Sequence, residues 1–446
     1  MNIRDLNNIA GKVLSLSEAP QTEVIVSYTH TQLVRMAVNR IVHGPVDIEK
    51  ISVSVRMRDG GKIGYASTDV PSDKSLAEMT QMAYFTMKKA SPIEPMWELP
   101  TEDMSIETDE TDIEDVWNED IRREIVGMLF DKAQEVGVEG HGTVVTDEMQ
   151  VVVANSEGLM SYASGKVGSA KLMLRKDRKE VQSKLAFTPG YHPDYRQAID
   201  ELGEKIEKMD TLGELPPGDY NVVLGPQAVA ELLSTMTYFS FTPDAASKGM
   251  SYVYSQKGQK LLPDYITIMD NVADSRFHAL PFDFEGVKRR PVYFVMRGTM
   301  GTVVNNLYFA AKLGENPTGH ALPFDGYFSP GAYPLHMVMS GGDRHFSELL
   351  KELDDYIYIE GFHYVNAFLD PFNVRATGLT RYGTYRMKRG EIVQSYDNAR
   401  FLQSFWEALK NVKAVSSDTY LIPHSYFAGG GFIVPYLYIE GFHIGA

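Results

Sequence analysis

The chain has 446 residues, 43% hydrophobic and 23% charged, long enough for two cores, since single cores stop growing near ~250–300 residues. Its formal net charge of −16 disfavours nucleic acid and anionic membranes as partners, and the longest basic run, Lys288-Arg289-Arg290, is three residues. The absence of cysteine excludes disulfides, thiolate–zinc sites and cysteine nucleophiles, a composition compatible with the cytoplasm.

Ile3, Leu6, Ile9 and Val13 fall about one turn apart, so the chain is expected to begin with a short amphipathic helix and not a signal peptide. No run approaches the ~18 apolar residues of a spanning helix, and a soluble protein without a membrane partner is expected. Extended segments follow at 22–28, 33–39, 51–58 and 62–67, the last two joined by Asp59-Gly60-Gly61, a hairpin signal. Ile51, Val53, Val55 and Met57 alternate with polar residues, which leaves one face wet. A helix is predicted from Ser75 to about Ala90, with Met79, Met82, Ala83 and Met87 read as core filling. Between Thr101 and Asp120 stand ten Asp or Glu and no Lys or Arg, read as a solvated loop entering a helix near Asn118. Strands at 143–154 and 166–174, the turn Asn155-Ser156-Glu157-Gly158 and a helix at about 193–209 complete this half, and 211–218 reads as a linker.

Beyond the linker, Asn221-Val222-Val223-Leu224 reads as a strand that turns at Gly225-Pro226 into a helix. Val229, Leu232, Leu233 and Met236 form its apolar stripe, and Gln227, Glu231, Ser234, Thr235 and Tyr238 form the opposite, polar face. Further strands are predicted at 265–269, 292–296, 335–339, 356–360, 383–388 and 432–439, with helices at about 344–353 and 399–411. Residues 356–363 read YIYIEGFH and residues 436–443 read YLYIEGFH, which suggests two equivalent strands, or chance with a shared strand-end turn. The expected fold class is α+β in two domains: an N-terminal α/β domain with a mostly antiparallel sheet over 1–210, and a C-terminal β-rich domain over 219–446.

No local chemical motif emerges. None of the eleven histidines lies within five residues of another, and HExxH, Gly-x-Ser-x-Gly and Walker sequences are absent. Gly429-Gly430-Gly431 lacks the strand-loop-helix context of a phosphate cradle and reads as close backbone packing or a mobile loop. Asp283 and Glu285 would share a face on a strand, for acid–base chemistry, but are better read on a turn that carries a structural ion pair to Lys288-Arg289-Arg290.

The order of features nevertheless resembles that of the TldD/PmbA (TldD/TldE) peptidase family, whose older name is "modulator of DNA gyrase". The matching phrases are the hairpin from Arg56 through Asp59-Gly60-Gly61 to Gly64-Tyr65-Ala66, Ala154-Asn155-Ser156-Glu157-Gly158, and the run from Gly218 to Pro226. They continue with Ile268-Met269-Asp270, Pro281 to Gly286, Asn316 to His320, Ala376-Thr377-Gly378, Arg389 to Val393 and Ile439-Glu440-Gly441. The resemblance implies homodimers, or heterodimers with a TldD-like subunit, and a peptide substrate. TldD-type members are zinc metallopeptidases with HExxxHxxExD on the helix after the first C-terminal strand and a cysteine in a later glycine-rich loop. Here Ser234 and Thr235 stand in place of His-Glu, Phe239 in place of the second His and Thr242 in place of the following Glu, while Asp244 matches. Tyr426 takes the cysteine position, ahead of Gly429-Gly430. The departure fits the TldE/PmbA branch: a zinc-free cytoplasmic subunit with no catalytic residue, metal or cofactor of its own. Its substrate-contact candidates are Ser234, Thr235, Tyr238, Asp244, His424, Tyr426, Gly429 and Gly430. The alternatives are a homodimeric peptide-binding protein without hydrolytic role and a peptidase whose metal site has moved, for example to His320 or His424. An acidic chain lends the gyrase link no support.

Overall fold

The structure, a computed structural model, describes residues 2–108, 119–324, 331–425, 427 and 429–445. The N-terminal half contains, in order, α1 (Ile3–Leu16), β1 (Gln21–Ala37), β2 (Arg40–Asp59), β3 (Lys62–Thr68), α2 (Asp73–Lys89), α3 (Glu119–Glu135), β4 (Glu139–Asn155), β5 (Met160–Lys176), β6 (Lys179–Phe187) and α4 (Tyr195–Lys208). Its six strands form one antiparallel sheet in the order β3-β2-β1-β4-β5-β6. The apolar stripes of α1 (Leu6, Ala10, Val13) and α2 (Leu76, Met79, Ala83, Met87) pack on Val24, Val26, Val53 and Val55, whereas Met82 is exposed. The acidic segment is described only in part: residues 109–118 lie outside the described residues.

The two segments expected at 22–28 and 33–39 are one strand, and β2 runs back to Arg40. The residues between them break the apolar alternation, but they pair across strands. Asp47 accepts from Gln32 Nε2 at 2.8 Å and stands 2.6 Å from His30 Nε2, and Thr31 donates to Asp147 at 2.5 Å. Cross-strand polar pairs sustain a ladder that hydropathy alone does not reveal.

The C-terminal half contains β7 (Gly218–Leu224), α5 (Pro226–Met236), a π-turn (Thr237–Phe241), α6 (Pro243–Ser247), α7 (Tyr252–Ser255), β8 (Ile268–Asp270), β9 (Val292–Met296), β10 (Thr299–Met300) and α8 (Leu307–Leu313). It continues with β11 (His336–Met339), α9 (Phe346–Glu352), β12 (Asp355–Asp370), β13 (Arg375–Lys388), β14 (Glu391–Tyr396), β15 (Arg400–Ser404), α10 (Phe405–Lys410), β16 (Val412–Pro423) and β17 (Gly431–Ile444). The helix expected over 399–411 is a strand followed by a short helix: β15 lies on β13 with Phe401 fully buried, and Ser404 caps α10 by accepting from Glu407 N. The sheet is mixed, and the pairings β7–β12–β13–β15–β17–β7 close on themselves, the circuit of a small barrel.

The two octapeptides are the strands that flank β7. Tyr358 and Tyr438 both lie opposite Val223, Ile357 and Ile439 both opposite Val222, and Ile359 and Leu437 both opposite Leu224, with β12 parallel and β17 antiparallel to β7. The isoleucines and Leu437 face the C-terminal core, while the tyrosines and Val223 face α3 and α4 of the N-terminal half. Two further clusters also mix the halves: Phe282 joins Ile25 and Val153, and Ala186 joins Met269 and Ile433. The segment 211–218 is packed: Gly213 bridges to Tyr396, and Leu215 is buried. Among the described residues no helix is long and apolar enough to cross a membrane.

Candidate functional site

The polar face of α5 looks toward β6. In its first two turns, Gln227 donates to Gln182 O at 2.7 Å and to Glu360 Oε1 at 2.8 Å, and Glu231 accepts from Lys184 Nζ at 2.9 Å. Glu360 also accepts from Lys205 at 2.8 Å and from the Tyr358 hydroxyl at 3.0 Å. Against the opposing effect of burial, the Glu360 charge raises the Lys205 ammonium above its ordinary range. One turn further, Ser234 and Thr235 are half-buried, and the Thr235 hydroxyl is used by its own helix, donating to Glu231 O at 2.9 Å. Tyr238 is exposed, with its ring edge-on to Phe239 and Phe368 at 5.1 and 6.4 Å.

Two positions of the zinc motif, 234 and 239, straddle the start of a π-turn, whose i→i+5 closure is frequent at functional sites. The groups there do not fit zinc. Ser234 offers a neutral hydroxyl, and Phe239 is buried edge-on against Phe368 at 5.2 Å. Thr242 caps α6, and Asp244 is paired with Lys248 at 2.7 Å. Zinc takes imidazole, thiolate or carboxylate, and this set supplies one carboxylate, already engaged. Among the described residues no group of three or more His, Asp or Glu could hold a metal ion.

The glycine-rich loop forms a second region. His424 stacks on Phe432 and meets Phe427 edge-on, and burial, then the charge of Lys184, pushes its imidazole down to about 4. The glycines are required by close approach: a Cβ on Gly430 would stand 3.0 Å from Leu335 O, and one on Gly431 2.8 Å from Ile422 O. Tyr426 lies outside the described residues. Gly429 and Gly430 line cavities of about 40 and 200 Å³, neither of which includes an α5 residue. The candidate residues therefore fall into two groups, with Lys184 between them.

Between these groups runs a feature that the sequence reading missed. Among the described residues β6 is the edge of its sheet, paired on one side to β5. Its residues Gln182 to Leu185, with Tyr420 to Ile422 of β16 across the gap, line a cavity of about 230 Å³ whose other walls include Lys205, Gln227 and Glu360. β6 follows a tight turn with Asp177 at φ 56°, and both of its faces are used: Val181 and Gln182 are consecutive and both buried. Period-two alternation, the signal for a strand, is consequently absent.

Charges lie buried where the halves meet. Arg56 makes a two-point contact to Glu23 (2.8 and 2.7 Å) and reaches Glu285 of the other half at 2.8 Å. Burial works against the Arg56 charge, and the two carboxylates more than offset it. Glu285 thus pairs with Arg56 and not with Lys288-Arg289-Arg290, because it sits on a turn that faces the N-terminal sheet. Asp283 instead accepts three backbone N–H groups, from Glu285, Val287 and Ala321. Burial, then the neighbouring Glu285, pushes its carboxyl up to about 7. Asp270 is equally buried but lies 3.1 Å from His320 and accepts from Leu335 N and His336 N; despite burial, the nearby His320, His336 and Arg289 hold it well below the usual range.

A family model for the PmbA/TldA metallopeptidase C-terminal domain matches residues 217–446. The chain is 25% identical over 376 residues to a metalloprotease of Methanothermobacter thermautotrophicus, spanning 82% of this chain and 81% of that one. It is 21% identical over 299 residues to the metalloprotease PmbA of Escherichia coli O157:H7, covering 65% and 62% of the two chains. The crystal structure of TldE from Thermococcus kodakarensis superposes with a TM-score of 0.85 at 18% identity, covering 99% of each chain. Motif order, fold and family match agree, and the chain belongs to the TldD/PmbA metallopeptidase family.

Proposed function

We propose that this chain is a zinc-free, TldE/PmbA-like subunit of a cytoplasmic TldD/TldE-type peptidase, and that it holds an extended peptide for a partner subunit that carries the metal. The division into domains at 1–210 and 219–446 belongs to the same reading, with the substrate lying along the join. The observation that carries the proposal is the pairing of a motif emptied of metal ligands with a strand edge beside it that no second strand covers among the described residues, although Gln227 already takes up Gln182 O there. Ser234, Thr235, Phe239 and Thr242 replace the ligand-type residues, while the outer edge of β6 opens onto the 230 Å³ cavity. A peptide backbone can add to such an edge as a further strand, with main-chain hydrogen bonds giving affinity and flanking pockets giving specificity. The alternative with a relocated metal gains no support from its two histidines: His320 Nε2 lies 3.1 Å from Asp270, its Nδ1 lies 3.0 Å from Thr318, and His424 packs against Phe427 and Phe432.

Two measurements test the reading. Metal analysis of the purified chain is expected to find zinc far below one ion per chain, and stoichiometric zinc would sink it. Mixed with a TldD-type subunit bearing an intact HExxxH, the chain is expected to form a heterodimer that hydrolyses unfolded peptide, while the chain alone does not. A stable homodimer that binds peptide and ignores such a subunit would favour the binding-protein alternative.

A further inference from the structure

The cavity of about 200 Å³ beneath the glycine loop has an unusual floor. Its walls are largely apolar, with Leu280, Phe284, Leu322 and Leu335 among them, and Gly429 and Gly430 form one side. Arg289 and His336 also line it. Arg289 is only 7% exposed, yet among the described residues no carboxylate stands within 4.0 Å of its guanidinium and its Nε has no hydrogen-bond partner. One of its bonds is fixed: Nη1 lies 3.1 Å from His336 Nδ1. Arginine cannot lose its proton here, so Nη1 donates, and the neutral imidazole then carries its own proton on Nε2. Burial and the Arg289 charge keep that ring neutral, its pKa pushed down to about 3. The two carboxylates whose charges act on Arg289 are held elsewhere, Asp270 beside His320 and on two backbone N–H groups, Asp283 on three backbone N–H groups.

A buried guanidinium with an unsatisfied N–H is expensive unless a ligand completes it, and the planar group that matches its fork is a carboxylate. The apolar walls define the rest of the ligand. A dry cavity of about 150 Å³ accommodates a benzene-sized molecule, so this one takes a single branched or aromatic side chain together with its carboxylate. We propose that the Arg289 cavity is a subsite for an apolar carboxylate, filled by the last residue of a peptide: its α-carboxylate on Arg289 and His336, its side chain among Leu280, Phe284 and Leu322. The peptide assignment rests on the peptide-holding reading above, whereas the carboxylate chemistry does not.

Calorimetric titration of the full chain separates the two. The probes are an unfolded hexapeptide ending in leucine with a free carboxyl, the same peptide amidated, N-acetyl-leucine and N-acetyl-leucinamide. The free-acid peptide is expected to bind at least tenfold more tightly than the amide, and the preference is expected to vanish in Arg289→Gln. Because loss of Arg289 could unsettle the fold, Leu322→Trp, which fills the cavity and keeps the arginine, serves as the second variant and is expected to abolish the preference as well. Equal binding of acid and amide by the unmodified chain overturns the subsite and leaves the peptide-holding reading standing. Acid-selective binding of N-acetyl-leucine without binding of either peptide supports the carboxylate site and overturns the peptide-holding reading. No binding of any probe overturns both.

Discussion

The two octapeptides, 356–363 and 436–443, show one short sequence placed in two settings. Both lie against β7 in matching register, with the tyrosines at 358 and 438 opposite the same valine and pointing toward the same helices. Beyond that the copies part, because β12 runs parallel to β7 and β17 antiparallel. Glu360 ends beneath the N-terminal half, 5% exposed and holding Lys205, Gln227 and Tyr358. Glu440 emerges at the surface, 3.7 Å from Lys413. Sequence sets face and register here, and strand direction sets what each side chain is worth.

The comparison can be broken most forcefully at the glutamates. Glu360→Ala leaves Lys205 unpaired at the join and is expected to lower unfolding free energy by about 3 kcal/mol. Glu440→Ala removes an exposed pair and is expected to change it by less than about 0.5 kcal/mol. Equal losses in urea denaturation would mean that the two environments are not distinct. Next come the tyrosines. Tyr358→Phe deletes the donor to Glu360 and should cost about 1–1.5 kcal/mol, whereas Tyr438, whose hydroxyl has no hydrogen-bond partner among the described residues, should tolerate phenylalanine nearly unchanged.

At the glycines the order reverses. Gly441 sits at φ 70°, so Gly441→Ala should cost about 1 kcal/mol although open space surrounds it. Gly361 is outside the left-handed region, and an added methyl would press only moderately on the Tyr382 side chain at 3.3 Å, with Arg381 O and Gln227 Cβ at ordinary contact distances of 3.6 and 3.9 Å, so Gly361→Ala should cost less. Thermal melts of the two variants rank them directly. The smallest effect concerns pH. Burial first, then the charges of Arg381 and Lys171, lower the His363 pKa below 6.5, with Glu231 and Glu180 acting the other way. The unfolded chain therefore binds this proton more readily than the folded one, and the associated stability, present above pH 6.5, is lost as pH falls from there through the lower folded-state pKa. His363→Gln should flatten this part of the Tm–pH curve, and an unchanged slope would remove His363 from the account.

Much of the fold was legible where one physical signal dominated. The α5 stripe, the Asp59-Gly60-Gly61 hairpin and two of the α2 methionines read as core, Met79 and Met87, follow periodicity and turn chemistry, whereas Met82 faces out. What escaped were strands without alternation: the middle of β1, held by His30, Gln32 and Asp47, and β6, buried on both faces. The site was legible only in part, for the same reason. Ser234 and Gly429 announce themselves through their place in an ordered series of phrases, but Arg289 stood in the sequence as one of three basic residues. Its burial beside a cavity depends on β11 and β17 meeting at His336 and Gly431, a contact between residues far apart in the chain.

The segment 211–218 has the composition of a joint, yet it is no place to cut the molecule. A chain ending there would leave the tyrosine-facing side of α3 and α4 bare and Arg56 without Glu285. A chain beginning there would carry Glu285 and Glu360 without their cations. Each piece would lack the charge partners that the other supplies, and recombining halves between relatives would have to exchange Arg56, Lys205, Glu285 and Glu360 as a set.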